Sequence, residues 1–167
     1  MPIKKRIPPR EENGLRLRLL RKTDLPKTRA WRNIDEVRQW FNFTDVITPR
    51  MHQEWWEKYR RMGSDYVFII ELPNGTAVGQ VAVYNIDHAK KTGEYGRCIV
   101  CPQQAGKNIL FRASLMLFGL IRDSLGLECL HLQVKNNNAK AKCIYERLGF
   151  VVSRTEGALV FMDRPLM

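Results

Sequence analysis

Leu15, Leu17 and Leu19 alternate with Arg16 and Arg18, the period of a strand with one buried face. Helical signals follow. Asp24 stands as a cap before Pro26, and a second short helix is expected over residues 35–41. Thr48 and Pro49 open a further helix in which Met51, Trp55, Tyr59 and Met62 recur at helical spacing, so that face is expected to be buried, with Trp56 on its flank. Two β-rich runs, 66–72 and 77–86, flank Pro73-Asn74-Gly75-Thr76, whose Asn-Gly pair is a strong hairpin signal. A looser turn over 88–93 leads into a strand at 94–100, which Pro102 breaks.

After a polar loop at 103–108, a long amphipathic helix runs to about residue 125 with Leu110, Ser114, Leu117 and Ile121 on one side. Leu130, Leu132 and Val134 alternate as a fifth strand. The next helix is framed by its caps: Asn138 can accept a first-turn N–H, and Gly149 suits the left-handed position past the end. Ala141, Ile144 and Leu148 form its apolar stripe, which leaves Tyr145 at the edge, ring packed and hydroxyl free to face a cleft. Residues 150–155 and 158–162 close the chain as a hairpin around Glu156-Gly157. Strand, helices, three strands, helix, strand, helix and two strands make an α/β arrangement, a mixed sheet flanked by helices.

The 167 residues suit one domain, expected over 13–167, and the composition is ordinary for a soluble globular protein. Residues 1–12 read as a basic, flexible arm carrying Lys4, Lys5, Arg6 and Arg10. No apolar segment resembles a signal peptide or a membrane span, so a cytoplasmic location without membrane association is expected. The net charge of +11 predicts attraction to anions without choosing among them. Cys98 and Cys101 form a CxxC spacing, but strand residues three apart point to opposite faces and no second ligand pair completes a metal site. Cys98, Cys101, Cys129 and Cys143 are therefore read as reduced, mostly buried thiols.

The pattern Asn138-x-x-Ala141-x-x-Ile144-Tyr145-x-x-x-Gly149-Phe150 resembles the NxxAxxLYxxxGF segment of the GCN5-related N-acetyltransferase (GNAT) superfamily, and the element order agrees over most of the chain. The resemblance implies a mostly antiparallel central sheet splayed between strands four and five, with acetyl-CoA as cosubstrate. It implies Tyr145 as proton donor to the departing thiolate and Asn138 as a contact of the pantetheine arm. It also implies pantetheine bound along the end of strand four, at Ile99, Val100 and Cys101, where an amide N–H can face the oxyanion. The family's phosphate loop, RGxGxG or QxxGxA, is only partly matched in Gln104-Ala105-Gly106-Lys107-Asn108-Ile109-Leu110. Ala105 replaces the basic residue, and Asn108 and Leu110 replace two glycines. Gly106, Lys107 and Asn108 remain as candidate donors at a helix start.

Attack by an amine requires loss of the ammonium proton, and Glu94, similar in position to the family's acceptor-facing glutamate, is the candidate base. The alternative is an exposed strand-start glutamate. For the acceptor, Trp31-Arg32-Asn33, Val37-Arg38-Gln39-Trp40, Ile47-Thr48 and His52-Gln53-Glu54-Trp55 resemble acetyltransferases of nucleotide-linked 4-amino-4,6-dideoxy sugars in pseudaminic acid biosynthesis. That resemblance implies an anionic nucleotide sugar bound by Trp31, Arg32, Asn33, Arg38, Trp40 and His52, in a monomer or homodimer. The tryptophans could instead simply pack the helices onto the sheet. Two other readings stand beside it: N-terminal acetylation of a ribosomal protein or other peptide, and a basic nucleic-acid-binding module without catalysis. Arg16 and Arg18 lack aromatic companions on their strand, which weighs against the module.

Overall fold

The computed structural model describes residues 2–167. The strands are β1 (Arg10–Glu12), β2 (Leu15–Leu19), β3 (Tyr66–Glu71), β4 (Ala77–Asp87), β5 (Thr92–Val100), β6 (Cys129–Lys135), β7 (Val151–Glu156) and β8 (Leu159–Pro165). The helices are α1 (Leu25–Arg32), α2 (Asp35–Arg38), α3 (Pro49–Tyr59), α4 (Ile109–Leu125) and α5 (Ala139–Arg147). All strands join one sheet in the order β1-β2-β3-β4-β5-β6-β8-β7, antiparallel except for the parallel pair β5–β6. The last strand thus inserts between β6 and β7. Among the described residues no helix is long and apolar enough to cross a membrane.

Both faces of the sheet's centre are covered, and all six residues of β3 are buried. One face packs Leu17, Phe68 and Val81 with Leu117 and Ile121 of α4. The other packs Val67, Ile69 and Ala82 with Leu25 of α1 and Tyr59 of α3. This second layer changes the fate of Arg18, expected on a solvated face. It is 7% exposed, and its guanidinium bonds Glu71 at 2.5 Å and Asp24 at 2.7 and 2.8 Å. Asp24 therefore does not cap α1; its carboxylate is taken by Arg18 and by the Arg21 N–H.

The basic arm is not loose. Asn13 and Gly14, with φ of 49° and 77°, make the two-residue turn that pairs β1 with β2. Ile7 is buried in the core, the Lys4 ammonium lies 3.2 Å from the Tyr59 ring centre, and Lys5 N donates to Tyr66 Oη at 2.8 Å. The expected helix at 35–41 is the single turn α2, after which the chain bends. In α3 the Thr48 hydroxyl accepts from Met51 N as its cap; Tyr59 is buried, but Met51 is exposed. All four cysteines are free, Cys98, Cys101 and Cys129 half-buried and Cys143 exposed, so the expectation of burial fails at Cys143.

What creates a site is the parting of β5 from β6. They pair only from Thr92↔Cys129 to Glu94↔His131. Just beyond, Arg97 takes a φ of 52° and the β4–β5 register shifts, a bulge that bends β5 away from its parallel neighbour. Gln80 holds the bulge by donating to the Arg97 carbonyl at 2.9 Å.

Candidate active site

A cleft of about 340 Å³ opens where β5 and β6 diverge. Its walls are β5, β6, the inner face of α5 and the loop carrying Trp40 and Phe41. Lys135 Nζ ties that loop to β6 through the Gln39 carbonyl at 2.6 Å.

Tyr145 reaches the cleft from α5, whose start is capped as the sequence indicates: Asn138 Oδ1 accepts from Ala141 N at 3.3 Å. Gly149 carries a φ of 93° just past the helix. The Tyr145 ring meets Tyr95 edge-on at 5.9 Å and Phe150 at 6.2 Å. Its hydroxyl makes no hydrogen bond to another described residue. Burial, with the neighbouring Cys98, pushes it well above the ordinary tyrosine value, so the phenol keeps its proton at neutral pH.

Glu94 lies in the same cleft, its carboxylate oriented by Asn85 Nδ2 at 2.9 Å and Tyr84 Oη at 3.3 Å. Tyr84 sits opposite Glu94 in the β4–β5 ladder. Gly96 makes room for it, since a Cβ there would lie 2.6 Å from the Tyr84 hydroxyl oxygen. The Arg97 guanidinium lies over the Tyr84 ring, 3.9 Å from its centre, and is anchored to Asp65 at 2.8 and 3.0 Å. Tyr84, Asn85 and Arg97 were not singled out from sequence. Counting back across the hairpin from Asp87↔Thr92 pairs Asn85 with Glu94, and the register shift at Asn85, with its φ of 47°, brings Tyr84 there instead, which no local pattern reports.

Ile99 and Val100 line the cleft, whereas Cys101 does not. Cys101 spends its N–H on Val78 O at 2.8 Å, on the β4 side. Backbone groups alternate along a strand, so those of Val100 face the open side. Gly106, Lys107 and Asn108 stand outside the cleft lining, in the exposed turn before α4. Leu110, in the first turn of α4, lines the cleft and joins the two regions. Gly106 and Asn108 adopt left-handed φ of 78° and 59°. A Cβ at Gly106 would meet nothing within 4 Å, so glycine serves the backbone angle there, and the α4 N-terminus beyond is left open to an anion. These two regions fit an extended ligand with an amide arm and a phosphate end, as coenzyme A has.

The residues expected to bind the acceptor scatter. Only Trp40 lines this cleft. Trp31 is 6% exposed, on the buried side of α1 with Leu25 and Thr28. The Asn33 amide is spent on the backbone of Ile47, donating at 2.8 Å and accepting at 2.7 Å, which clamps the loop before α3. Arg38 is held by Asp35 and the Thr44 carbonyl. Arg32 and His52 face a separate cavity between α1, α3 and the sheet.

The fold and the splayed cleft are those of an acetyltransferase. The profile of the acetyltransferase (GNAT) domain matches residues 14–151, and the chain belongs to that family. It is an N-acetyltransferase with acetyl-CoA as cosubstrate. The spermidine N(1)-acetyltransferase of Escherichia coli K12 is 28% identical over 157 residues, 89% of this chain and 77% of that protein. Among solved structures, the spermidine N-acetyltransferase of Vibrio cholerae in complex with CoA and spermine superposes with a TM-score of 0.83 at 21% identity, covering 92% of this chain and 96% of that one. A domain from Methanocaldococcus jannaschii superposes at 0.78 with 20% identity, covering 92% and 99%. These relatives replace the amino-sugar and ribosomal-protein enzymes that the sequence pattern resembled.

Proposed function

We propose that this chain acetylates a primary amine of the polyamine class, spermidine being the reference acceptor. The observation that carries the reading is Glu94: a carboxylate held in the cleft by Tyr84 and Asn85, in the same space as Tyr145 and with Glu36 also on the wall, is a receptor for an aliphatic ammonium. Of the cations on the same wall, Arg97 is neutralised by Asp65, Lys135 Nζ is turned to the Gln39 carbonyl, and Lys140 is exposed. The similarity to spermidine acetyltransferases supports the same acceptor class.

Acetyl-CoA, when bound, supplies an activated acetyl thioester. The unpaired backbone of Val100 aligns its amide arm, and the turn at Gly106, Lys107 and Asn108 with the α4 N-terminus receives its phosphates. Asn138 Oδ1 is engaged in capping, so only its Nδ2 is left to donate to the arm. Glu94 takes a proton from the acceptor ammonium and frees the nitrogen lone pair. The nitrogen attacks the thioester carbonyl and forms the amide C–N bond, and Tyr145 Oη gives its proton to the sulfur as the C–S bond breaks. Spermidine should release free thiol from acetyl-CoA with the wild-type protein, and Glu94→Gln should lower kcat by on the order of 10²-fold or more. Full activity of Glu94→Gln would remove the base, and no release with spermidine or spermine would remove the polyamine reading.

A further inference from the structure

The second cavity encloses about 410 Å³ on the face of the sheet beneath α1 and α3. Its body is apolar and aromatic: Phe41, Phe43, Met51, Trp55 and Val67 line it. Its charged lining is of one sign. Arg29, Arg32 and Arg97 reach it, and no carboxylate of the described residues does. Arg97 is spent on Asp65, but Arg32 is not satisfied. Its guanidinium lies 3.8 Å from the Phe41 ring centre and donates through Nη2 to the Phe43 carbonyl, leaving Nη1 buried without a partner. His52 Nδ1 is likewise buried and unpartnered, and the His52 ring leans on Trp55 at 5.4 Å. Two orphaned polar nitrogens on residues that wall one cavity are costly, because buried donors and acceptors are nearly always paired. Arg32 cannot escape the cost by losing its charge, so an acceptor oxygen, best an anionic one, is the missing partner.

We propose that this cavity binds a small molecule made of an aromatic or alkyl body and one anionic group, carboxylate or phosphate. The body fills the space between Trp55, Phe41 and Met51, and the anion pairs with the Arg32 guanidinium, with the His52 ring as a second polar contact. A polyamine is excluded by the arginines, so the site goes beyond the acceptor reading above. Phe41 and Arg97 belong to both this cavity and the acetyl-transfer cleft, so occupation of one is felt at the wall of the other. The polyamine acceptor has no anionic part, so the ligand is a separate effector.

The test uses the full chain and three probes: phenyl phosphate, inorganic phosphate and benzyl alcohol, each titrated against tryptophan fluorescence. Phenyl phosphate should bind at least about tenfold more tightly than either fragment, and Arg32→Gln should weaken it by about tenfold or more, the worth of one charge-assisted hydrogen bond. His52→Gln should weaken it less. Melting temperatures check that the variants fold, and Arg29→Gln, at a half-exposed position, carries the same test if Arg32→Gln does not. Phenyl phosphate binding no tighter than inorganic phosphate, or unchanged binding in folded Arg32→Gln and His52→Gln, overturns the site. In spermidine acetylation, phenyl phosphate should change kcat or the amine KM, and no change in either would overturn the coupling to the acetyl-transfer cleft. Phenyl phosphate binding without any turnover of spermidine would remove the polyamine reading and leave this site standing.

Discussion

Replacing Tyr145 by phenylalanine separates chemistry from structure because the hydroxyl is the only thing lost. The ring keeps its edge-on contacts with Tyr95 and Phe150. The hydroxyl bonds no other described residue, so its removal leaves no buried group unpaired, and the folding free energy should change by less than about 0.5 kcal/mol. A positioned general acid contributes roughly 10²–10⁴ in rate, or about 2.7–5.4 kcal/mol at the transition state. Thiol release at saturating acetyl-CoA and amine should therefore fall by at least about 100-fold, with the KM for acetyl-CoA and the melting temperature held. The pH dependence adds a second check. Burial raises the Tyr145 hydroxyl above its ordinary value of 10.0, so its ionisation produces no alkaline fall in kcat below about pH 10. A kcat within tenfold of wild type would refute the proton-donor role. So would an alkaline limb near pH 8 that vanishes in the variant.

Three further outcomes follow from particular contacts. Ile7→Ala should cost about 2–4 kcal/mol in denaturant unfolding, since Ile7 is 3% exposed in the core; no loss would mean that the arm is free. Gly106→Val puts a branched side chain at a φ of 78° and should raise the KM for acetyl-CoA by about tenfold, the worth of one lost phosphate contact, while the amine KM holds. The His52 imidazole is held below its ordinary 6.5 by burial and by Arg29, so the unfolded chain takes up its proton first on acidification. Its contribution to stability is whole above pH 6.5 and is lost as pH falls through the depressed value, and equilibrium unfolding of His52→Gln between pH 7 and 5 should show a shallower loss than wild type.

The parts of the fold written in local chemistry were legible. The α5 helix is delimited by Asn138 and Gly149, each acting within its own turn, and the same holds for Thr48 before α3. Asn13-Gly14 carried an equally local hairpin signal, but the lysines and arginines around it read as a solvated arm. Burial of Arg18 and the insertion of β8 between β6 and β7 depend on what packs from far along the chain, which no local pattern reports. The acceptor residues show the same limit. Trp31, Asn33 and Arg38 have side chains suited to a nucleotide, yet packing and two backbone clamps consume them. Tyr84, Asn85 and Arg97 shape the cleft through cross-strand register and a bulge.

The acceptor claim has a direct trial. Acetyl-CoA labelled in its acetyl group is offered at once to equal concentrations of spermidine, a peptide with a free N-terminus and a nucleotide-linked 4-amino sugar, and the labelled products are separated. Label on spermidine in preference to the other two, lost in Glu94→Gln, is the predicted result. Label on the nucleotide sugar or the peptide, with spermidine untouched, would contradict it.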